Sequence, residues 1–237
     1  MLSREPAPVE PGLYVVSTPI GNLGDMTFRA VEVLGGVDVI ACEDTRRTGL
    51  LLHHFGVKTP MRSYHEYNKL QRTPELLETL RQGRRVALVT DAGTPGISDP
   101  GFYLIRAAVE AGFRVVPVPG ASALLAGLVV SALPSDRFAF EGFMPKRDGR
   151  RRKRLSGLAR EERTMVFYES ARRVARLLSE MLELWGERRV VVARELTKQY
   201  EEVIRGKLGE VAEALGAREL KGETVVIVTG NERSDEE

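Results

Sequence analysis

The stretch that most constrains the fold is residues 86–126, VALVTDAGTPGISDPGFYLIRAAVEAGFRVVPVPGASALLA. Residues 86–90 form a short, β-branched apolar run of the kind buried in a parallel sheet. Asp91-Ala-Gly-Thr-Pro-Gly follows, where two glycines permit positive φ and Pro95 fixes its own, so that backbone can approach a ligand closely. Asp99 is expected to cap a helix with Pro100 at its first position; Leu104, Ile105, Ala108 and Val109 recur at helical spacing, and Gly112 ends it. A second strand, 113–118, runs into another small-residue loop, Pro119-Gly-Ala-Ser122. In an open α/β sheet, ligands bind beyond the carboxyl ends of parallel strands, where both loops fall. They are expected to form two walls of one small-molecule site.

The rest of the chain extends this pattern. Strands are expected at 13–17 and 37–42 and at a third run ending in Arg62-Ser-Tyr-His-Glu-Tyr-Asn68, with helices between them and Thr73-Pro74 starting the helix before residue 86. Strand–helix alternation of this sort builds a mostly parallel sheet covered on both faces, hence an α/β fold. After Gly120 the composition changes. An apolar helix, strands at 137–143, 164–168, 189–194, 202–205 and 223–229, and a helix with Val174, Leu177, Leu178, Met181, Leu182 and Trp185 along one face fill a second α/β domain. The expected organisation is a flexible arm at 1–12, domains at 13–118 and 119–230, and a disordered tail at 231–237.

Composition excludes several classes. No apolar run reaches ~18 residues, so no membrane span is expected. The single cysteine, Cys42, leaves no internal disulfide and no thiol cluster for a metal, which fits a reducing cytoplasm. Net charge is only +2, yet KRDGRRRKR at 146–154 holds seven basic residues in nine. Such a run is either a solvated face or a mobile arm for RNA phosphates, giving affinity and little sequence information.

The turn Thr18-Pro-Ile-Gly-Asn-Leu-Gly-Asp25 is not G-x-G-x-x-G, which argues against a dinucleotide site there. Glu43-Asp44-Thr45-Arg46-Arg47 ends one strand and opens a helix; Asp44 is either an N-cap or, with Glu43, a carboxylate facing the cleft. His53 and His54 have no acidic partner at ligand spacing, and no metal site is expected.

Nine segments in order from Leu13 to Glu223 resemble those of the S-adenosylmethionine-dependent tetrapyrrole methylase superfamily, and within it the branch that methylates ribosomal RNA: LYVVSTPIGNLGDMTFRA, ACEDTRRT, SYHEYN, VALVTDAGTPGISDPGF, VPVPGASALL, DRFAFEGFMPKR, VFYES, VARELTKQYEE and KGE. The resemblance implies two α/β domains with the donor, S-adenosylmethionine, in the cleft between them, and a homodimer. It also implies transfer to the 2′-hydroxyl of a cytidine in the decoding region of bacterial 16S ribosomal RNA, within the small ribosomal subunit. By position, Asp91, Ala92, Gly93, Thr94 and Pro95, with Gly120 and Ser122, would hold the donor, and Phe167, Tyr168 and Glu169 would close its adenosine side. Pro19, Gly21 and Asn22 would floor the reacting sugar. Gly96 and Ala121 depart from the family pattern, in which a larger apolar residue and a proline are expected.

The resemblance supplies no base for the 2′-hydroxyl proton. Asp44 and Glu43 are the first candidates, Glu195 with Lys198 the second, and His65 the third. Arg46 and Arg147 are candidate phosphate contacts, with Arg150, Arg151, Arg152, Lys153 and Arg154 of the basic run. A methylase for a small carbon acid such as a tetrapyrrole, and a non-catalytic RNA-binding protein of the same fold, are the rival readings.

Overall fold

The computed structural model describes residues 9–231. Most of the expected arm and all but Asn231 of the expected tail lie outside the described residues. Residues 9–12 pack: Glu10 O accepts a bond from Tyr14 Oη at 2.7 Å, and Gly12 already belongs to the first strand. The chain divides into two units, Met1–Ser122 and Ala123–Glu237, so that the 119–122 loop falls with the first.

The first unit is a five-stranded sheet in the order β3-β2-β4-β1-β5, with every pairing parallel. Its strands are β1 (Gly12–Val16), β2 (Val39–Cys42), β3 (Met61–Ser63), β4 (Arg85–Leu88) and β5 (Val115–Val118). Between them run α1 (Phe28–Gly36), α2 (Thr45–His54), α3 (Lys69–Arg81) and α4 (Gly101–Glu110). Strand side chains alternate across the sheet. Tyr14, Val16, Ile40 and Cys42 pack with Ala30, Val33 and Leu34 of α1 on one face. Leu13, Val39 and Ala41 pack with Leu76 and Leu80 of α3 and with Leu104 and Ala108 of α4 on the other. Burial on both faces is why these strands read as continuous apolar runs.

Two helix starts differ from expectation. α3 begins at Lys69, a turn ahead of Thr73-Pro74, and contains Pro74. Thr73 stays in the helix because its hydroxyl donates to Lys69 O at 2.7 Å and lies 3.0 Å from Tyr64 Oη, a buried pair that fixes this turn. α4 begins one residue later than expected, at Gly101, yet Asp99 still does the work of a cap: its carboxylate accepts from Gly101 N at 2.7 Å and from Gly96 N at 2.9 Å.

The second unit carries a mixed sheet, β6-β7-β10-β8-β9, in which only β6 and β7 are parallel. The strands are β6 (Phe138–Phe143), β7 (Thr164–Ser170), β8 (Arg189–Arg194), β9 (Glu202–Lys207) and β10 (Glu223–Val228); the helices are α5 (Ala123–Ser131), α6 (Asp148–Leu158), α7 (Ala171–Trp185) and α8 (Leu208–Gly216). Leu208, Val211, Ala212 and Leu215 of α8 join Val174, Leu177, Leu178 and Met181 of α7 in one core.

The basic run is the main correction. It is an ordered helix, α6, and not a mobile arm. Arg151, Leu155 and Leu158 recur at i, i+4, i+7 and are all buried, so the helix is amphipathic with an arginine on its inner face. Arg151 is 3% exposed. It donates from Nε and Nη2 to Glu180 at 2.6 Å each, and from Nη2 to Asp148 at 3.0 Å. A buried guanidinium needs such partners, and here α7 supplies the main one.

Candidate functional site

The site is built where β1, β4, β5 and β2 end, and buried hydroxyls at the strand ends stitch its loops together. Thr18 and Gly93 form a two-bond bridge, Thr18 N to Gly93 O at 2.9 Å and Gly93 N to Thr18 O at 3.0 Å. Thr18 Oγ1 donates to Thr90 O at 3.1 Å, Ser17 Oγ lies 2.9 Å from Thr94 Oγ1, and Thr94 Oγ1 donates to Ala121 O at 3.3 Å. The turn after β1, the loop after β4 and the loop after β5 are therefore one hydrogen-bonded rim. Gly93 holds φ +83°, a conformation costly for any other residue at this crossing. A Cβ on Gly120 would stand 3.0 Å from the Ser17 Cβ, so a larger residue would require the third loop or the first strand to give way.

A cluster of carboxylates faces the same rim. Glu43 Oε2 accepts from Thr90 Oγ1 at 3.1 Å. Burial pushes the Glu43 carboxyl up, and the nearby Asp91 and Asp99 carboxylates push it further against the Thr90 bond. Asp99 is raised too, by burial that outweighs the N–H groups it accepts from. Asp91 accepts from Asp44 N at 3.1 Å and from Arg47 Nη1 at 3.2 Å, tying the β2 loop to the β4 loop.

Asp44, paired with Glu43 in the sequence reading, is the N-cap of α2. It accepts from Arg46 N at 2.9 Å, Arg46 Nε at 3.1 Å and Arg46 Nη2 at 2.7 Å. The Arg46 guanidinium holds its carboxyl well below the usual range, which makes it a weak proton acceptor.

The remaining first-unit candidates have structural work visible around them. His65 packs against Asn68, which accepts from His65 N at 2.8 Å and whose Nδ2 lies 3.2 Å from His65 Nε2. Pro19 is buried, while Gly21 and Asn22 are exposed; Asn22 caps a short 3-10 turn by accepting from Gly24 N at 2.9 Å.

In the second unit, Glu195 sits at φ +50° in the turn after β8 and accepts from Lys198 Nζ at 2.9 Å and Glu223 N at 3.1 Å. Burial opposes charge at Glu195, but these bonds outweigh it and keep its pKa below the usual value. The pair is an internal clamp on the sheet end. Phe167 is in the core, Tyr168 Oη accepts from Leu124 N at 3.0 Å, and Glu169 is buried beside Arg173 at 3.2 Å. β10 pairs with all three residues and β6 with Phe167 and Tyr168 only, so Glu169 is laddered on one side.

Of the basic run, Arg151 is no surface contact, for the reason given above. Arg152 pairs with Glu183 at 2.6 Å, and Arg154 Nε donates to Glu141 at 3.1 Å. Arg147, Arg150 and Lys153 are exposed. The sequence reading missed Ser17, Thr18 and Thr90 as site builders, for which the available signal was a polar residue closing an apolar strand; Asp99 was read as a helix cap alone.

The family model for tetrapyrrole (corrin/porphyrin) methylases matches residues 12–212. The chain belongs to the tetrapyrrole methylase family. It is 51% identical over 219 residues to "Ribosomal RNA small subunit methyltransferase I" of Synechocystis, covering 92% of this chain and 78% of the relative. It is 48% identical over 226 residues to the protein of the same name in Haemophilus influenzae, covering 94% and 80%. Among solved structures, uroporphyrin-III C-methyl transferase from Thermus thermophilus, complexed with S-adenyl homocysteine, matches with TM-score 0.64 and 21% identity over 92% of this chain and 97% of that one, which shows the shared fold. The tetrapyrrole methylase chain is a methyltransferase.

Proposed function

We propose that the protein is an S-adenosylmethionine-dependent ribosomal RNA methyltransferase that methylates the 2′-hydroxyl of a cytidine in the decoding region of bacterial 16S ribosomal RNA. It would act in the cytoplasm, as a homodimer, on the small ribosomal subunit. The observation that carries the reading is identity of 48–51% to proteins named ribosomal RNA small subunit methyltransferase I, over 78–80% of their length.

The Asp91–Pro95 and Gly120–Ser122 loops would hold S-adenosylmethionine, which would supply an electrophilic methyl on a sulfonium for the 2′-oxygen, and the chain must provide a base for the hydroxyl proton. Glu43 is that base: among the candidate carboxylates Glu43, Asp44 and Glu195 it is the one whose pKa is raised, it lies beside Thr90 on the rim, and a base titrating nearer neutrality is better matched to the task. Fixing the hydroxyl in line with the methyl contributes up to about 7–11 kcal/mol; the base adds about 10²–10⁴-fold. The Pro19-Ile-Gly-Asn22 turn floors the sugar, and Arg46, Arg147, Arg150 and Lys153 contact phosphates.

The test is transfer of labelled methyl from S-adenosylmethionine to small subunits prepared without this modification, followed by nuclease mapping. Label on a single decoding-region cytidine ribose is expected. Intact donor binding with no transfer to RNA overturns the substrate assignment and redirects the search to small carbon acids.

A further inference from the structure

We propose that Tyr67 is a stacking platform for an unpaired base of the RNA substrate. The inference rests on the RNA reading above and adds to it the element that grips a nucleobase.

Tyr67 is 97% exposed. An aromatic ring buries about 150–250 Å² of surface when it is fully packed, and in this chain Tyr67 meets only the edge of the His65 ring and stays exposed. It is the third residue after Tyr64 in the loop that leaves β3, at the same carboxyl edge as the rim. The loop adjoins the one after β2: Tyr64 N donates to Cys42 O at 2.7 Å, directly beyond the Cys42–Ser63 pair of the two strands.

The loop is rigid where it carries this ring. Tyr64 is 1% exposed and anchored to Thr73. Asn68 spans the turn, accepting from His65 N at 2.8 Å and donating to Ser63 O and Ser63 Oγ at 3.2 Å each. The His65 ring lies edge-on, 6.2 Å from the Tyr67 ring. An aromatic held out from a fixed backbone loses little freedom on binding.

The surroundings choose the partner. Arg46 and Arg47 in the first turn of α2, which follows the adjoining loop, expose 89% and 71% of their side chains, and Arg62 in the edge strand β3 is exposed. Tyr67 itself is flanked by Glu66, Asn68 and Lys69, with Lys69 paired to Glu66 at 2.6 Å. An exposed aromatic ring on a loop whose neighbouring element carries exposed guanidinium groups matches single-stranded nucleic acid, whose bases stack while its phosphates meet the cations.

The test uses the full chain with Tyr67→Ala, Tyr67→Phe and Tyr67→Trp. Two readouts are taken: methyl transfer to unmodified small subunits, and anisotropy of a fluorescein-labelled single-stranded RNA oligonucleotide spanning the mapped site. Tyr67→Ala should raise both KM for subunits and Kd for the oligonucleotide by roughly 5- to 150-fold, the equivalent of about 1–3 kcal/mol for one base–aromatic stack. Affinity for S-adenosylmethionine and the sedimentation coefficient should be unchanged, and Tyr67→Phe and Tyr67→Trp should restore both RNA values. If wild type methylates RNA but Tyr67→Ala leaves KM and Kd as they were, the stacking role is wrong. A sedimentation change in Tyr67→Ala identifies the ring as a contact between copies and likewise overturns the inference. Wild type that neither binds nor methylates RNA removes the proposed function, and the stacking role with it.

Discussion

Glu43 and Asp44 are adjacent carboxylates with opposite surroundings, and the difference sets what each can do. Asp44 spends its oxygens on the N–H of its own helix and on Arg46. Glu43 points at Thr90, and burial raises its pKa. The sequence shows two acids side by side; it does not show that one has a partner two residues away and the other a partner 47 positions on. Below the ordinary glutamate value of about 4.3, Glu43 is protonated both folded and unfolded, so it has no effect on stability. As pH rises from there through the raised folded pKa, the folded protein bears the cost of burying the charge. Glu43→Gln should therefore raise the melting midpoint at pH 7.5, with the gain vanishing below about pH 4, and scanning calorimetry across that range checks it. The same substitution should lower methyl transfer by about 10²–10⁴-fold with donor affinity retained. Wild-type rate should rise with pH through a midpoint above that of an ordinary glutamate, and the variant should lack that limb. Unaltered turnover would remove Glu43 as the base.

At the scale of elements, α6 separates what charge counts show from what geometry decides. Its composition is that of a solvated cationic segment, and the spacing of Leu155 and Leu158 from Arg151 was hidden because the first inward position is itself basic. The helix is held by Arg151 and Glu180, both buried, and by Trp185 Nε1 donating to Leu155 O at 2.8 Å. Arg151→Ala leaves Glu180 buried without its main partner and should cost about 3–5 kcal/mol of stability in urea unfolding. Arg150→Ala with Lys153→Ala should leave the urea midpoint in place. That pair should weaken RNA binding and reduce the slope of log Kd against log salt by about 0.7–0.9 per lost phosphate contact. If the charge reversal Arg150→Glu with Lys153→Glu leaves the salt slope unchanged, α6 is an ordinary solvated face. The elements that were easiest to read were those whose apolar spacing was undisturbed, such as α7. The start of α3 was obscured by Pro74, because a proline usually marks a first turn and here Thr73 and Tyr64 hold it inside one.

At the scale of the whole molecule, the two units were legible to different depths. The first is a parallel sheet, and parallel strands joined by helices announce themselves as alternating apolar runs and amphipathic stretches. The second is mixed: β10 lies between β7 and β8, and nothing in local pattern says that the last strand enters the middle of its sheet. Each unit has its own core, so the donor's effect on stability reports which unit binds it. A ligand that binds only the folded form adds RT ln(1 + [L]/Kd), about 2.7 kcal/mol at one hundred times Kd. For a chain of this size that amounts to a rise in melting midpoint of roughly 5–10 °C. S-adenosylmethionine at that concentration should produce such a rise, and hydrogen exchange should slow at residues 90–96 and 119–123, where Thr18, Gly93, Thr94 and Ala121 already bind the three loops together. The added protection should be confined to the loops and their strand ends, leaving the β3 end of the sheet unchanged. Stabilisation with protection confined to the second unit would move the donor site off the rim, and would take Glu43 with it as the base.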